Sequence, residues 1–200
     1  MEFLTSWDDD AYENFRLAEL LNKHKIPAIF FLTNQSDWQM IRQVSSYRTI
    51  NVGGHTKSHP SDIKTLTETE LKSEIKGNKK YLEGILEEVI FDFCYPRGRY
   101  NQLVIDNVKE FGYKTARTTI VGNIKKPVDL YRIQTTIHVY QRAEYKKYWL
   151  LEAKDYIKRI KKGEGDYFHL WGHAWEIEKF NYWKHLEKLL IYANKIFNKT

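Results

Sequence analysis

Only one cysteine, Cys94, stands among the 200 residues. That excludes a disulfide framework and a thiol-rich zinc module, both of which need several. Long apolar runs are missing as well: nothing approaches the ~18 consecutive apolar residues of a membrane span, so no spanning segment is expected. The opening "MEFLTSW" has no apolar stretch of the length a secretory signal needs, and acids follow at once; the expectation is a cytoplasmic location or a chain already processed. There is no basic arm and no nucleic-acid motif. The formal charge is +6, but the lysines of Lys146 to Lys162 alternate with Leu150, Leu151, Ile157 and Ile160 and with Glu152 and Asp155. That is the wet face of an amphipathic helix, so no nucleic-acid partner is expected. Internal repeats, low-complexity tracts and linkers are also lacking, which leaves one domain over 1–200, expected as a monomer.

What is present is globular in composition, with 42% hydrophobic and 29% charged residues. Aromatic residues reach 15%, which suits a core and equally a cleft in which rings stack on the apolar faces of sugars. Short apolar runs alternate with longer amphipathic ones. "EFLTS" (2–6), "PAIFFLT" (27–33), "RTINVGGH" (48–55), "VIFDFCYP" (89–96), "YKTART" (113–118), "YRIQTTIHVY" (131–140) and "YFHLW" (167–171) read as strands. Between them lie helical patterns: one over 11–24, one opening at the capping box Thr67–Glu70, one capped by Asn101 and ended by Gly112, one over about 145–161 and a last over about 183–197. Such alternation predicts a parallel sheet, barrel-like or doubly wound. The segment 119–130 is the one long irregular connection.

The polar clusters share an address. "DDD" (Asp8, Asp9, Asp10) follows the first strand, His55 the third, "RGRYN" the fourth and His173 the last. All fall at C-terminal strand ends, the edge where a parallel barrel carries its chemistry. Three adjacent acids could be no more than a helix N-terminus, but clustered carboxylates also tolerate one another around a cation. In "HTKSH", His55 and His59 are four apart, which in a helical turn places both rings on one face; two surface histidines in a loop ended by Pro60 would look the same. Two imidazoles and one carboxylate make a three-ligand site with room for water, the pattern of a catalytic zinc centre. Hydrolysis then needs a base, for which a neighbouring aspartate serves, and an acid, for which "HLWGHAWE" offers His169 or His173. Position at the rim favours His173. His24, His138 and His185 have no visible partners and read as structural.

Taken in order, "SWDD … GGHTKSHP … FCYPRGRYN … HLWGHAWE" resembles the polysaccharide deacetylases, carbohydrate esterase family 4, over essentially the whole chain. The resemblance implies an α/β fold, a single-domain distorted (β/α) barrel with about seven parallel strands. It implies Asp8 as catalytic base, Asp9, His55 and His59 as metal ligands, and His173 as acid. Leu170 and Trp171 would wall the acetyl pocket, and Tyr95 and Arg97 would serve the substrate, the main-chain N–H of Arg97 holding the oxyanion. The implied reaction removes an acetyl group, N-linked before O-linked, from an amino-sugar oligo- or polysaccharide, with one divalent ion. Zinc is the default for one carboxylate and two imidazoles, with Co2+, Ni2+ or Mn2+ also suited.

Three departures stand out. Asp10 replaces the usual glycine and would add negative charge beside the site. Cys94 replaces an arginine that holds the catalytic aspartate, leaving Arg97 or Arg99 to reach in. The usual Asp/Trp motif is not recognisable in 119–140, which leaves Glu176 or Arg132 to orient His173. Two other functions fit the same residues: a metal-assisted amide hydrolase of a small non-sugar substrate, and a sugar-binding protein without catalysis. Retention of both Asp8 and His173 argues against the last.

Overall fold

A computed structural model describes residues 1–197; the last three residues of the domain expected over 1–200 lie outside the described residues. The elements follow in the order β1 (Glu2–Asp8), α1 (Asn14–Lys23), β2 (Ala28–Leu32), α2 (Trp38–Ser45), β3 (Ile50–Gly54), α3 (Glu68–Leu71), α4 (Gly77–Leu86), β4 (Asp92–Cys94), α5 (Gln102–Glu110), β5 (Thr115–Arg117), β6 (Ile137–His138), α6 (Trp149–Lys161), β7 (Tyr167–His173), α7 (Ala174–Lys179) and α8 (Trp183–Phe197). A π-helical turn at Lys72–Lys76 runs α3 into α4. The Thr67–Glu70 capping box and the Asn101 cap, whose side chain accepts from the Val104 N–H, start their helices as the sequence predicts.

All seven strands pair parallel, in the order β5-β4-β3-β2-β1-β7-β6. The sheet curls into the expected barrel-like (β/α) architecture. Its two edges are brought together by the segment 130–139, which pairs with both. The N–H groups of Ala116 and Thr118 donate to Leu130 and Ile133 on one side, while those of Thr136 and Val139 donate to His169 and Trp171 on the other. This corrects the continuous strand expected over 131–140. A chain crossing from one edge to the other cannot remain in one ladder, and only Ile137–His138 forms strand proper.

Alternation along β1 and β7 separates helix layer from barrel interior. Phe3 and Phe168 pack on Phe197 of α8, with ring centroids 5.6 and 5.9 Å away. A side chain on Gly172 would meet Val139 and Trp7. Leu170 shares this outer face and the apolar core. The intervening residues Ser6, Asp8, His169, Trp171 and His173 therefore face inward. Burying each aromatic or Leu side chain of the outer layer contributes about 1.5–3 kcal/mol, which holds β1 and β7 in one register from Glu2–Tyr167 to Asp8–His173. Asp8 and His173 thus end side by side at the rim.

Candidate active site

Three adjacent acids leave the end of β1, and their carboxylates go three ways. Asp8 continues the inward face, is 3% exposed, and takes the Arg117 guanidinium on both oxygens. Burial acts to raise its pKa, and Arg117, with His55 and His173, more than offsets this, holding the group at about 2. Asp9 has a left-handed backbone, φ 72°, so the chain turns and its carboxylate is swung over the rim. Its Oδ1 lies 3.7 Å from Nε2 of both His55 and His59, and its Oδ2 lies 3.7 Å from Nε2 of His173. Asp10 turns away: it accepts from the Thr33 N–H at 2.9 Å and from the Thr33 and Ser36 hydroxyls. The expectation that Asp10 charges the site is corrected, since its carboxylate is spent tying down the loop after β2.

His55 emerges from β3 with its Nδ1 2.8 Å from the Cys94 carbonyl oxygen. That acceptor fixes the proton on Nδ1 and leaves the Nε2 lone pair for a ligand. Burial lowers its pKa, which favours the neutral ring a metal requires. The His55 amide donates to Asn78 Oδ1 at 3.0 Å, and Asn78 in turn donates to the Leu32 carbonyl and to Asn34 Oδ1. His59 is brought back by a loop rather than by the helical turn read from the sequence. Thr56 and His59 both have positive φ, 68° and 52°, and the two imidazoles end 4.9 Å apart. With Asp9 and Arg97 (φ 56°), four left-handed non-glycine residues gather at this rim. Strain of about 1–3 kcal/mol each persists only where surroundings enforce it, typically at functional sites.

The donor atoms of Asp9, His55 and His59 lie within 4.8 Å of one another. An ion with bonds of about 2.1 Å spans donor separations up to about 4.2 Å, which the 3.7 Å from Asp9 Oδ1 to each Nε2 meets, and one carboxylate with two imidazoles is a zinc-type donor set. These residues fit a divalent ion.

His173 ends β7, and its Nδ1 meets Glu176 Oε2 at 2.7 Å. Burial would lower its pKa; the Glu176 hydrogen bond and the Asp8 carboxylate outweigh it, and the net direction is upward. His169, the other acid considered, is closed off between the Tyr167 hydroxyl at 2.6 Å and Ser6 Oγ at 2.8 Å, and burial brings its pKa to about 3. It is a buried neutral ring.

A family model described as polysaccharide deacetylase matches residues 4–116. The chain belongs to the polysaccharide deacetylase family. It is 28% identical over 116 residues to the peptidoglycan-N-acetylmuramic acid deacetylase PdaA of Bacillus subtilis, covering 54% of this chain and 43% of that protein. The chain therefore spans less than half the length of this relative. Among solved structures, the CE4 family pseudoenzyme BA3943 from Bacillus anthracis superposes with a TM-score of 0.66 at 14% identity, over 96% of this chain and 60% of that one. The family 4 carbohydrate esterase of Streptomyces lividans, in complex with acetate, gives 0.64 at 14% identity, over 96% and 85%. The Streptococcus pyogenes deacetylase PplD, also with acetate, gives 0.61 at 20% identity, over 66% and 62%. At these identities the structural likeness is one of fold.

Set against the other polysaccharide deacetylases, the departures read from the sequence resolve as follows. Neither Arg97 nor Arg99 replaces the missing arginine: the Arg97 side chain is exposed and Arg99 pairs with Asp62 at 2.9 Å. Arg117, from β5, does so instead. It reaches Asp8 across the barrel with its guanidinium 4.6 Å from the Trp171 ring, and Cys94 Sγ accepts from it at 2.8 Å. The small thiol leaves the space that a longer side chain would fill. Of the two candidates to orient His173, Glu176 is in place, while Arg132 pairs with Asp129. His138 is not the partnerless ring expected, for its Nε2 lies 3.0 Å from Glu176 Oε2. Trp171 faces the site, but Leu170 does not: odd and even positions of β7 face opposite sides, and Leu170 lies in the core. Tyr95 is also corrected, because its ring is fully buried and its hydroxyl donates to the Tyr131 carbonyl.

Proposed function

We propose that this chain hydrolyses acetyl groups, N-acetyl before O-acetyl, on an amino-sugar glycan, using one divalent ion held by Asp9, His55 and His59. The observation that carries this reading is the position of Asp9, its one carboxylate 3.7 Å from the Nε2 atoms of His55, His59 and His173. Ligand set and acid thus share one centre. Zinc bound there supplies a Lewis acid for the acetyl carbonyl and lowers the pKa of an attacking water.

The chain's own residues do the rest. Asp8, kept ionised by Arg117, takes the proton of the attacking water. The N–H of Arg97, placed by its left-handed turn, donates to the oxyanion. His173, on the far side of Asp9 from His55 and His59, delivers a proton to the departing amine, and Glu176 keeps its Nδ1 end engaged so that Nε2 faces the site. The acid step matters most for an amide, since an amine leaves poorly unprotonated. N-acetylated chito-oligosaccharides and peptidoglycan are the substrates to try first, the latter because the Bacillus subtilis relative is named for it.

The deciding experiment measures metal content and acetate release from these substrates before and after chelation. One equivalent of metal with chelator-sensitive acetate release is expected. Asp8→Asn, which keeps an oxygen for Arg117, should abolish release while retaining metal, whereas His55→Ala should lose both. A fully active Asp8→Asn would refute the assignment of the base. Metal-free protein at full activity would refute the centre.

A further inference from the structure

We propose that His138 is a positioning residue of the reaction, holding the Glu176 carboxylate so that Glu176 in turn holds the His173 ring for proton delivery. The inference rests on the deacetylase reading above. His138 belongs to neither the metal centre nor any sequence motif, and the chain brings it in from β6, 35 residues before His173.

Four contacts define its place. Its Nε2 lies 3.0 Å from Glu176 Oε2, and that same oxygen accepts from His173 Nδ1 at 2.7 Å. The imidazole is stacked on Trp171, with centroids 4.1 Å apart and planes 29° from parallel. Its edge meets His173, at 5.6 Å and 87°. The His138 main-chain N–H donates to the Tyr145 hydroxyl at 2.6 Å. The Nε2 approach to Glu176 is bent, a close polar contact short of hydrogen-bond geometry, and neither ring nitrogen has a hydrogen-bond partner among the described residues. With His138 5% exposed, the Glu176 carboxylate 3.0 Å from Nε2 offsets part of the cost of burying its ring nitrogens.

The consequence follows from Glu176's own freedom. It sits in the first turn of α7, three residues after His173, on a side chain with three rotatable bonds. A single contact to His173 leaves the carboxylate able to swing between rotamers, and the His173 ring would swing with it. A second, buried contact from a ring that is itself stacked on Trp171, on a backbone whose N–H donates to the Tyr145 hydroxyl, removes that freedom. One oxygen shared by two imidazoles is the arrangement that orients a histidine whose other nitrogen must meet a reacting atom. The 2.7 Å separation of His173 Nδ1 and Glu176 is that of a hydrogen bond, so the cluster does not read as a second metal site.

The test uses the zinc-loaded protein. His138→Phe keeps the stack on Trp171 and the volume but cannot donate, and His138→Gln restores a donor at the same reach. On an N-acetylated sugar, kcat of His138→Phe should fall about ten- to a hundredfold with KM within about twofold, and His138→Gln should recover most of it. On p-nitrophenyl acetate, whose leaving group departs without a proton, the loss should be under about threefold. Metal content should stay at one equivalent in both. In 15N-histidine spectra the hydrogen-bonded His173 Nδ1–H signal, identified by its absence in His173→Asn, should persist in His138→Gln and broaden or vanish in His138→Phe. Equal losses on amide and ester, no rescue by Gln, a second equivalent of metal lost on substitution, or an unchanged spectrum would overturn the proposal. If the unaltered protein releases no acetate from any acetylated sugar, the deacetylase reading falls, and the His173 signal alone then decides the positioning role.

Discussion

Arg117 reaches Asp8 from 109 residues further along the chain, and both partners are nearly inaccessible, at 2% and 3%. A buried ion pair of this kind adds little stability over a well-packed apolar pair, but removing one member leaves the other charged and dry. Arg117→Met should therefore cost about 3–5 kcal/mol, read as a fall in the urea midpoint. It should also raise the Asp8 pKa and reduce acetate release by more than a hundredfold. Arg117→Lys should recover part of the stability and little activity, because an ammonium has no planar guanidinium to lie against the Trp171 ring and to donate to the Thr118 carbonyl through Nη1 while Nη2 meets Asp8 and Cys94. Wild-type stability in Arg117→Met would show that the pair carries no such role. Nothing in "TART" announces this residue. An arginine in a three-residue strand reads alike whether it faces solvent or the barrel, and only the pairing of Cys94 with Arg117 in β4 and β5 turns it inward. Asp10 shows the converse. Its charge was legible and its direction was not, since successive carboxylates at a strand end point apart.

At the scale of elements, the loops that carry the ligands are set by one asparagine and one glycine. Asn78, on α4, accepts from the His55 N–H and donates to the Leu32 carbonyl and Asn34, joining the ends of β2 and β3 to a helix. It comes that close because Gly54 has no side chain: a Cβ there would lie 2.1 Å from the Tyr113 hydroxyl and 2.8 Å from Asn78 Oδ1. Asn78→Ala should leave the sheet folded and weaken metal binding about ten- to a hundredfold, measured by competition with a chromophoric chelator. Unchanged affinity would mean the His55 loop holds itself. Six of the seven strands were readable from apolar runs bounded by Gly, Pro and polar residues, and so was the edge where the site lies, because burial on both faces writes itself into composition. The two short helices were not. In α2 only Met40, Ile41 and Val44 are buried, too few to stand out between two strands, and α7 has six residues following directly on β7. His138 escaped notice for the same reason as Arg117: its partner is fixed by how the edges of the sheet meet, not by its sequence neighbours.

Across the whole molecule, the ligands come from the ends of β1 and β3, which are not adjacent; β2 runs between them. An ion bound by Asp9, His55 and His59 therefore ties two separate strand ends across the rim, and its binding energy adds to the free energy of unfolding. With free zinc at a hundred times its dissociation constant, that increment is about 2.7 kcal/mol. For a chain of this size each kcal/mol moves the melting temperature by about 2–4 °C, so zinc should raise it by roughly 5–10 °C. His59→Ala separates ligation from folding. The ring is partly exposed, with 26% of its side chain accessible, and its loss opens no cavity in the core. The ion-free variant should melt within about 2 °C of the ion-free parent, while the zinc increment disappears. An increment that survives in His59→Ala would move the ion elsewhere, and the Asp8, His55 and Cys94 cluster would be the next place to look. An ion-free melting temperature that collapses in the variant would instead make His59 a prop of its own strained loop, where φ is 52°, rather than a residue kept for what it binds.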